Sequence, residues 1–253
     1  MAPPTADSIT PAYLKNQYLI SYNAISAALW FGVLGRVAIH GQYYGLSDGH
    51  VYEESERYTR LTQSLAVLEV VHSAIGMLYP LSLFFERGSS GESSMVYSLT
   101  NPCSAGLVRA PMLTTLMQVA SRLLLVWGIG YNFPQTTKYS PAYSTMLIAW
   151  SVTELIRYSY FVFLLGKSGV PKLWTWLRYN TFFVLYPLGV ASECWLVYSA
   201  IPPASKLDER YGYALWAILA TYVPGFYMLF THMLKQRSKV LKAAKTERAK
   251  KGQ

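Results

Sequence analysis

The sequence predicts an all-α fold, a polytopic membrane bundle of six transmembrane helices. Three observations carry that expectation. Hydrophobic residues make up 52% of the chain and charged residues only 14%, against about 25% charged in a soluble domain. Six stretches are mostly apolar over about 20 residues, the length that crosses the hydrocarbon of a bilayer. Aromatic side chains are abundant, 21 Tyr and 7 Trp, as where rings collect at bilayer surfaces. Backbone in lipid must satisfy its own N–H and C=O groups, so each stretch is expected to be a helix. One bundle uses most of the 253 residues, so a single membrane-embedded domain, 1–253, is expected.

The first stretch, 18–39, carries Asn23 and Arg36. The preceding Met1-Ala-Pro-Pro-Thr-Ala-Asp-Ser8 lacks the basic-then-apolar order of a cleaved signal peptide, so this first helix is expected to act as its own targeting signal. A loop follows at 42–60 with Asp48, Glu53, Glu54 and Glu56. The second stretch, 61–85, holds Glu69 and His72 three apart on one face; a proton shuttle and a satisfied buried histidine both fit. Beyond it, Arg87-Gly-Ser-Ser-Gly-Glu-Ser-Ser94 opens a polar, flexible loop, 87–106. The third stretch, 112–131, brings Gln118, Ser121 and Arg122, the side-chain types that hydrogen-bond between helices in bundles. The fourth, 143–165, has Glu154, Arg157 and Tyr158, with Glu154 and Arg157 spaced for an ion pair along one helix. The fifth and sixth are 175–199 and 212–234, and Pro134, Pro141 and Pro202-Pro203 mark the loops between stretches.

An even number of spans leaves both ends on one side. The tail 235–253 carries Lys235, Arg237, Lys239, Lys242, Lys245, Arg248, Lys250 and Lys251, which marks that side as cytosolic. The loop 42–60 is then expected to be lumenal. Net charge is +9, yet no soluble basic domain accompanies it, so nucleic acid is not an expected partner.

The fifth stretch holds the sharpest chemical signal. Tyr186 and Glu193 lie seven positions apart, and seven steps of about 100° return a helix to nearly the same face. A carboxylate at mid-membrane costs roughly 2.5–3.5 kcal/mol on insertion scales and normally faces an interior. No basic residue stands three or four positions from Glu193, where Gly189, Val190, Leu196 and Val197 are found. Pro187 removes a backbone donor directly after Tyr186, and Gly189 leaves room for a close approach. Along a regular helix the two side chains would sit about 10 Å apart. Spacing alone leaves a catalytic and a structural role both open.

Two cysteines, Cys103 and Cys194, have neither metal-ligand nor disulfide-framework spacing. No further His or Cys clusters near Glu69 and His72, so no metal site is expected there either. Cys103-Ser-Ala-Gly-Leu-Val-Arg109 has the Cys-x5-Arg form of a tyrosine phosphatase loop, in which backbone N–H groups and Arg cradle phosphate. Pro102, Val108 and Ala110 replace the residues such loops use, so phosphatase activity is not expected.

The segments Tyr18-Leu-Ile-Ser-Tyr-Asn23, Leu68-Glu-Val-Val-His72, Met117-Gln-Val-Ala-Ser-Arg122, Trp150-Ser-Val-Thr-Glu-Leu-Ile-Arg-Tyr158, Trp176-Leu-Arg-Tyr179 and Leu185-Tyr-Pro-Leu-Gly-Val-Ala-Ser-Glu193 occur in that order over nearly the whole chain. Together they resemble the eukaryotic 3-hydroxyacyl-CoA dehydratases of very-long-chain fatty acid elongation, also called protein tyrosine phosphatase-like proteins. The resemblance implies six spans, an endoplasmic reticulum membrane location with both termini cytosolic, and catalysis by Tyr186 and Glu193. It implies a lyase that converts (3R)-3-hydroxyacyl-CoA to trans-2-enoyl-CoA, with no cofactor. Expected partners are a long-chain 3-hydroxyacyl-CoA, membrane lipid, and the condensing enzyme and reductases of the elongation cycle. Gln118, Arg122, Arg157, Tyr158, Arg178 and Tyr179 are candidate substrate-binding residues. Lys167, Lys172, Arg109, Arg157 and Arg178 are candidates to meet the CoA phosphates, although the positive-inside rule explains them equally well. The ending Lys250-Lys-Gly-Gln253 looks like a di-lysine retrieval signal. A non-catalytic scaffold or a lipid transporter of the same complex is the alternative reading.

The family runs directly from a segment like Leu68–Gly76 into one like Leu107–Pro111, whereas here Met77–Gly106 intervenes. Gly76-Met77 can back-translate through a GTATG-like donor, and Ala105-Gly106 through a GCAG-like acceptor in frame. An intron-derived insert at 77–106 is therefore expected, and sequencing of the mature message tests it.

Overall fold

The computed structural model describes residues 11–74, 109–166 and 169–251. Among them, all regular structure is helical. In chain order the helices are α1 (Pro11–Tyr44), α2 (His50–Ser64), α3 (Val67–Ala74), α4 (Arg109–Leu123), a π-helical stretch (Leu124–Tyr131), α5 (Pro134–Thr137), α6 (Pro141–Leu165), α7 (Lys172–Asn180), α8 (Phe182–Leu207) and α9 (Glu209–Lys251). Among the described residues, four helices are long and apolar enough to cross a membrane: Tyr13–Tyr44, Pro141–Leu165, Phe182–Leu207 and Glu209–Lys242. Leu116–Tyr131 is apolar but shorter. The expected second span, 61–85, begins in α2 and α3 and then leaves the described residues. The expected insert at 77–106, Cys103 with most of its Cys-x5-Arg segment, Lys167 and the chain's last two residues also lie outside them.

Contacts divide the chain into two compact units. One is Met1–Thr62 with Leu125–Tyr222; the other is Gln63–Leu124 with Val223–Gln253. The second unit packs α3 against α4. In it, Glu69 and His72 share the buried face of α3 that their spacing foretold.

The first unit is organised around α6, which packs against α1, α7 and α8. On α1 the buried residues are Leu19, Asn23, Ser26, Trp30, Val33 and Val37. Their spacing alternates four and three, which keeps one stripe facing a neighbouring helix. Two of the six are polar. Asn23 meets that cost by donating its Nδ2–H to Leu19 O at 2.6 Å. Arg36, charged within the same helix, lays its guanidinium 3.9 Å from the centre of the Tyr58 ring. Gly32 admits that ring, since a Cβ there would stand 2.6 Å from the Tyr58 hydroxyl.

Facing α6, helix α8 buries Gly189, Ser192, Ala200 and Ala204. Lipid tails are as apolar as leucine, so helices in a bilayer associate through close packing of small residues and through hydrogen bonds. Both appear here. A Cβ on Gly189 would lie 3.6 Å from Ala149 Cβ, and Thr145 Oγ1 and Ser192 Oγ share a hydrogen bond of 2.8 Å. The glycine that the sequence offered as room for a ligand is used to bring α6 and α8 together.

Three local expectations differ from the structure. Residues 42–60 are not simply a loop: Gly45 (φ +89) and Gly49 (φ +93) turn the chain, and α2 starts at His50. Pro202-Pro203 do not break α8, which continues to Leu207 and ends at the extended Asp208. The ring of an interior proline removes donors but still allows φ near −65°, so a helix can run through it. The third expected span changes to π-helical winding at Leu124–Tyr131. Wider winding frees carbonyls for other donors, and Tyr52 Oη donates to Gly130 O at 2.7 Å. Pro141, by contrast, occupies the first turn of α6, where its missing N–H costs nothing.

Candidate functional site

The site is built on α8. Only Thr181 separates α7 from α8, and it keeps a helical backbone while its Oγ1 donates to Leu177 O at 2.8 Å. The chain therefore enters α8 without a loop. Tyr186 stands in the second turn of α8, with Pro187 next to it inside the helix. Glu193 lies two turns further on. Both side chains are half-buried.

A helical side chain leans toward the N-terminus of its helix. Glu193 does so: its Oε1 lies 4.0 Å from the Cβ position of Gly189, one turn back toward Tyr186.

Each oxygen of Glu193 accepts a hydrogen bond from another helix. The indole Nε1–H of Trp150, on α6, donates to Oε1 at 2.7 Å. The hydroxyl of Tyr222, on α9, donates to Oε2 at 3.0 Å. Trp150 is itself buried and meets Trp30 of α1 edge-on, with ring centres 6.5 Å apart. Each carboxylate oxygen has two lone pairs and only one donor here, so this arrangement can hold and orient a proton acceptor within an apolar bundle.

The candidate substrate-binding residues fall into separate places. Arg157 donates its Nε–H to Glu154 Oε2 at 2.6 Å and covers the Tyr158 ring at 4.1 Å. Glu154 and Tyr158 are both buried. Arg178, at the end of α7, lies 4.6 Å from the Tyr160 ring centre and 5.5 Å from that of Phe161, and Tyr179 follows it in the last turn of the same helix. The Trp174 indole joins α7 to α6 through a 2.5 Å hydrogen bond to Ser159 Oγ. Gln118 and Arg122 lie on α4, in the other compact unit.

Trp150 and Tyr222 were not singled out by sequence reasoning. The available signal was general: a buried indole N–H or phenol O–H normally finds an acceptor, and Glu193 was an acceptor with no partner nearby in sequence.

Away from the spans, α2 and the turn before α6 are tied together by charge. Lys138 Nζ lies 2.5 Å from Glu53 Oε1, and that ammonium holds the Glu53 carboxyl below its ordinary range. Burial pushes the Tyr52 phenol up to about 12 and raises Glu56.

Fold and site together define a helical membrane protein with a tyrosine and a hydrogen-bonded carboxylate seven residues apart on one helix. Comparison with known proteins narrows that class. The family described as protein tyrosine phosphatase-like protein, PTPLA, matches residues 101–243. A fission yeast protein (Schizosaccharomyces pombe) named a probable very-long-chain (3R)-3-hydroxyacyl-CoA dehydratase is 40% identical, over 93% of this chain and 98% of its own. The very-long-chain (3R)-3-hydroxyacyl-CoA dehydratase PASTICCINO 2 of Arabidopsis thaliana is 34% identical, over 92% and 97%. The human very-long-chain (3R)-3-hydroxyacyl-CoA dehydratase 2 is 29% identical, over 90% and 82%. No solved structure matches. The chain belongs to the protein tyrosine phosphatase-like protein family.

Proposed function

We propose that this protein is a 3-hydroxyacyl-CoA dehydratase that converts long-chain (3R)-3-hydroxyacyl-CoA to trans-2-enoyl-CoA, the third step of very-long-chain fatty acid elongation. The names of its relatives support the reaction class. The observation that supports the site is the Glu193 carboxylate, which receives one donor on each oxygen and stands two turns from Tyr186 on the same helix.

Elimination of water requires a base at C2 and an acid at C3, each within about 3 Å in the reacting pose. Each Glu193 oxygen keeps a lone pair that its donor does not occupy, which suits it as the base. It takes the C2 proton; the C2–H electron pair forms the double bond as the C3–O bond breaks. Tyr186 supplies a proton to the departing hydroxyl, which leaves as water. The thioester carbonyl acidifies C2 and the reaction changes no oxidation state, so neither metal nor redox cofactor is required. Afterwards a proton must pass from Glu193 back to Tyr186.

The acyl chain lies among the apolar helices and the CoA head remains in water. Arg157, Tyr158, Arg178, Tyr179, Gln118 and Arg122 are the substrate-binding residues of this reading, with Lys167, Lys172 and Arg109 also available to the CoA phosphates. The chain works as a single six-span unit of the endoplasmic reticulum membrane with both termini cytosolic, alongside the condensing enzyme and reductases. Residues 77–106 are an intron-derived insert.

The test is a dehydration assay on the purified protein, made with and without residues 77–106. Enoyl-CoA formation by either form is expected. A well-folded protein that yields no enoyl-CoA, yet moves lipid in a vesicle flux assay, would make it a transporter.

A further inference from the structure

Glu193 is clamped from two sides, and the two donors differ in kind. The Trp150 indole N–H can only donate. At 2.7 Å from Oε1 it occupies one lone pair of that oxygen in either protonation state of the carboxyl. The Tyr222 hydroxyl can both donate and accept. At 3.0 Å from Oε2 it donates to the carboxylate and can turn to accept once that oxygen carries a proton. The clamp draws on three helices: α8 supplies the carboxylate, α6 the indole and α9 the phenol. Trp150 is fixed in turn, since its ring is buried against Trp30 of α1. A glutamate has three rotatable side-chain bonds, and a displacement of about 1 Å in a reacting group can cost a hundredfold in rate.

We propose that Trp150 and Tyr222 are positioning residues that orient the Glu193 carboxylate toward the substrate's C2. Trp150 fixes Oε1 as a permanent acceptor, and Tyr222 follows Oε2 through its protonation and deprotonation. The inference rests on the dehydratase reading above. Neither residue need touch substrate, so their loss acts on the chemical step and leaves substrate binding alone.

The experiment compares Trp150→Phe and Tyr222→Phe with the natural protein and with Glu193→Gln. It measures kcat and KM for a long-chain 3-hydroxyacyl-CoA, and thermal unfolding in the same detergent. Loss of a hydrogen bond to a charged group predicts a fall in kcat of roughly 10- to 100-fold for each variant. KM stays within about twofold, and the melting temperature follows that of the natural protein. Full kcat in both variants overturns the proposal. So does a fall in kcat that comes with a matching rise in KM and loss of thermal stability, the pattern of a merely structural role. Should Trp150→Phe fail to fold, Tyr222→Phe alone decides, because it removes one oxygen and leaves the ring. Full activity of Glu193→Gln would instead refute the dehydratase site itself, whatever the other two variants do.

Discussion

Two glutamates of the same compact unit face the same physical problem and meet it differently. Glu154, on α6, is buried and receives the Arg157 guanidinium at 2.6 Å. Glu193, on α8, receives an indole N–H and a phenol O–H. A guanidinium stays charged at any ordinary pH, so it neutralises Glu154 and leaves a satisfied ion pair. Neutral donors stabilise the Glu193 charge without cancelling it, so it remains available to a proton. One carboxylate is paired with a cation of its own helix; the other is suited to chemistry.

The contrast breaks most visibly under substitution. Glu193→Gln is expected to lower turnover by roughly a thousandfold, within the range of a lost general base, with little change in thermal unfolding. Glu154→Ala should do the reverse, because it leaves the Arg157 guanidinium without its carboxylate. The expected cost is about 1–3 kcal/mol, below the 3–5 kcal/mol of a fully enclosed pair because Arg157 is partly exposed. Thermal unfolding in detergent measures it. Replacing both members, Glu154→Leu with Arg157→Met, should recover part of that loss; no recovery would show that the pair itself was not the source.

The α6–α8 seam offers a finer cut. Gly189→Ala adds a methyl at ordinary contact distance, 3.6 Å from Ala149 Cβ, and is expected to keep activity within about threefold. Gly189→Leu must push the helices apart beside Glu193, at a cost of about 1–3 kcal/mol and most of the turnover. If the leucine variant is as active as the alanine one, the close approach of α6 and α8 does not matter to the site.

The smallest effect belongs to the exposed Glu53–Lys138 pair. The folded protein lowers the Glu53 pKa, so its contribution is present above the unfolded carboxyl value of about 4.3 and fades as pH falls through the folded value. Lys138→Met should remove a small increment of stability near neutral pH and none at pH 2. Melting curves at the two pH values compare them, and an equal loss at both would exclude the ion pair as the cause.

How much of this was legible in the sequence follows from distance along the chain. Apolar stretches announce themselves by length, so the helices at 18–39, 143–165 and 212–234 were found inside α1, α6 and α9. The Glu154–Arg157 pair was legible because its members are three residues apart on one helix. The partners of Glu193 were not, since Trp150 and Tyr222 stand 43 and 29 residues away and only packing brings them near. Pro202-Pro203 misled because a proline pair reads as a stop, while α8 continues through it. The π-helical stretch 124–131 leaves no mark in periodicity, because Leu-Leu-Val-Trp-Gly-Ile-Gly-Tyr has no charged or strongly polar face from which a period could be read. Tyr186 and Glu193 drew notice by their spacing, which left a catalytic and a structural role both open, and the donors that distinguish Glu193 from Glu154 needed coordinates.

The most direct measurement is the rate at which purified Glu193→Gln and Tyr186→Phe convert a long-chain (3R)-3-hydroxyacyl-CoA to its enoyl product, beside the natural protein. Near-complete loss in both, with unfolding temperatures unchanged, is the expected result. Turnover close to that of the natural protein in both would mean that the hydrogen-bonded carboxylate and its tyrosine neighbour are not the groups that move the protons.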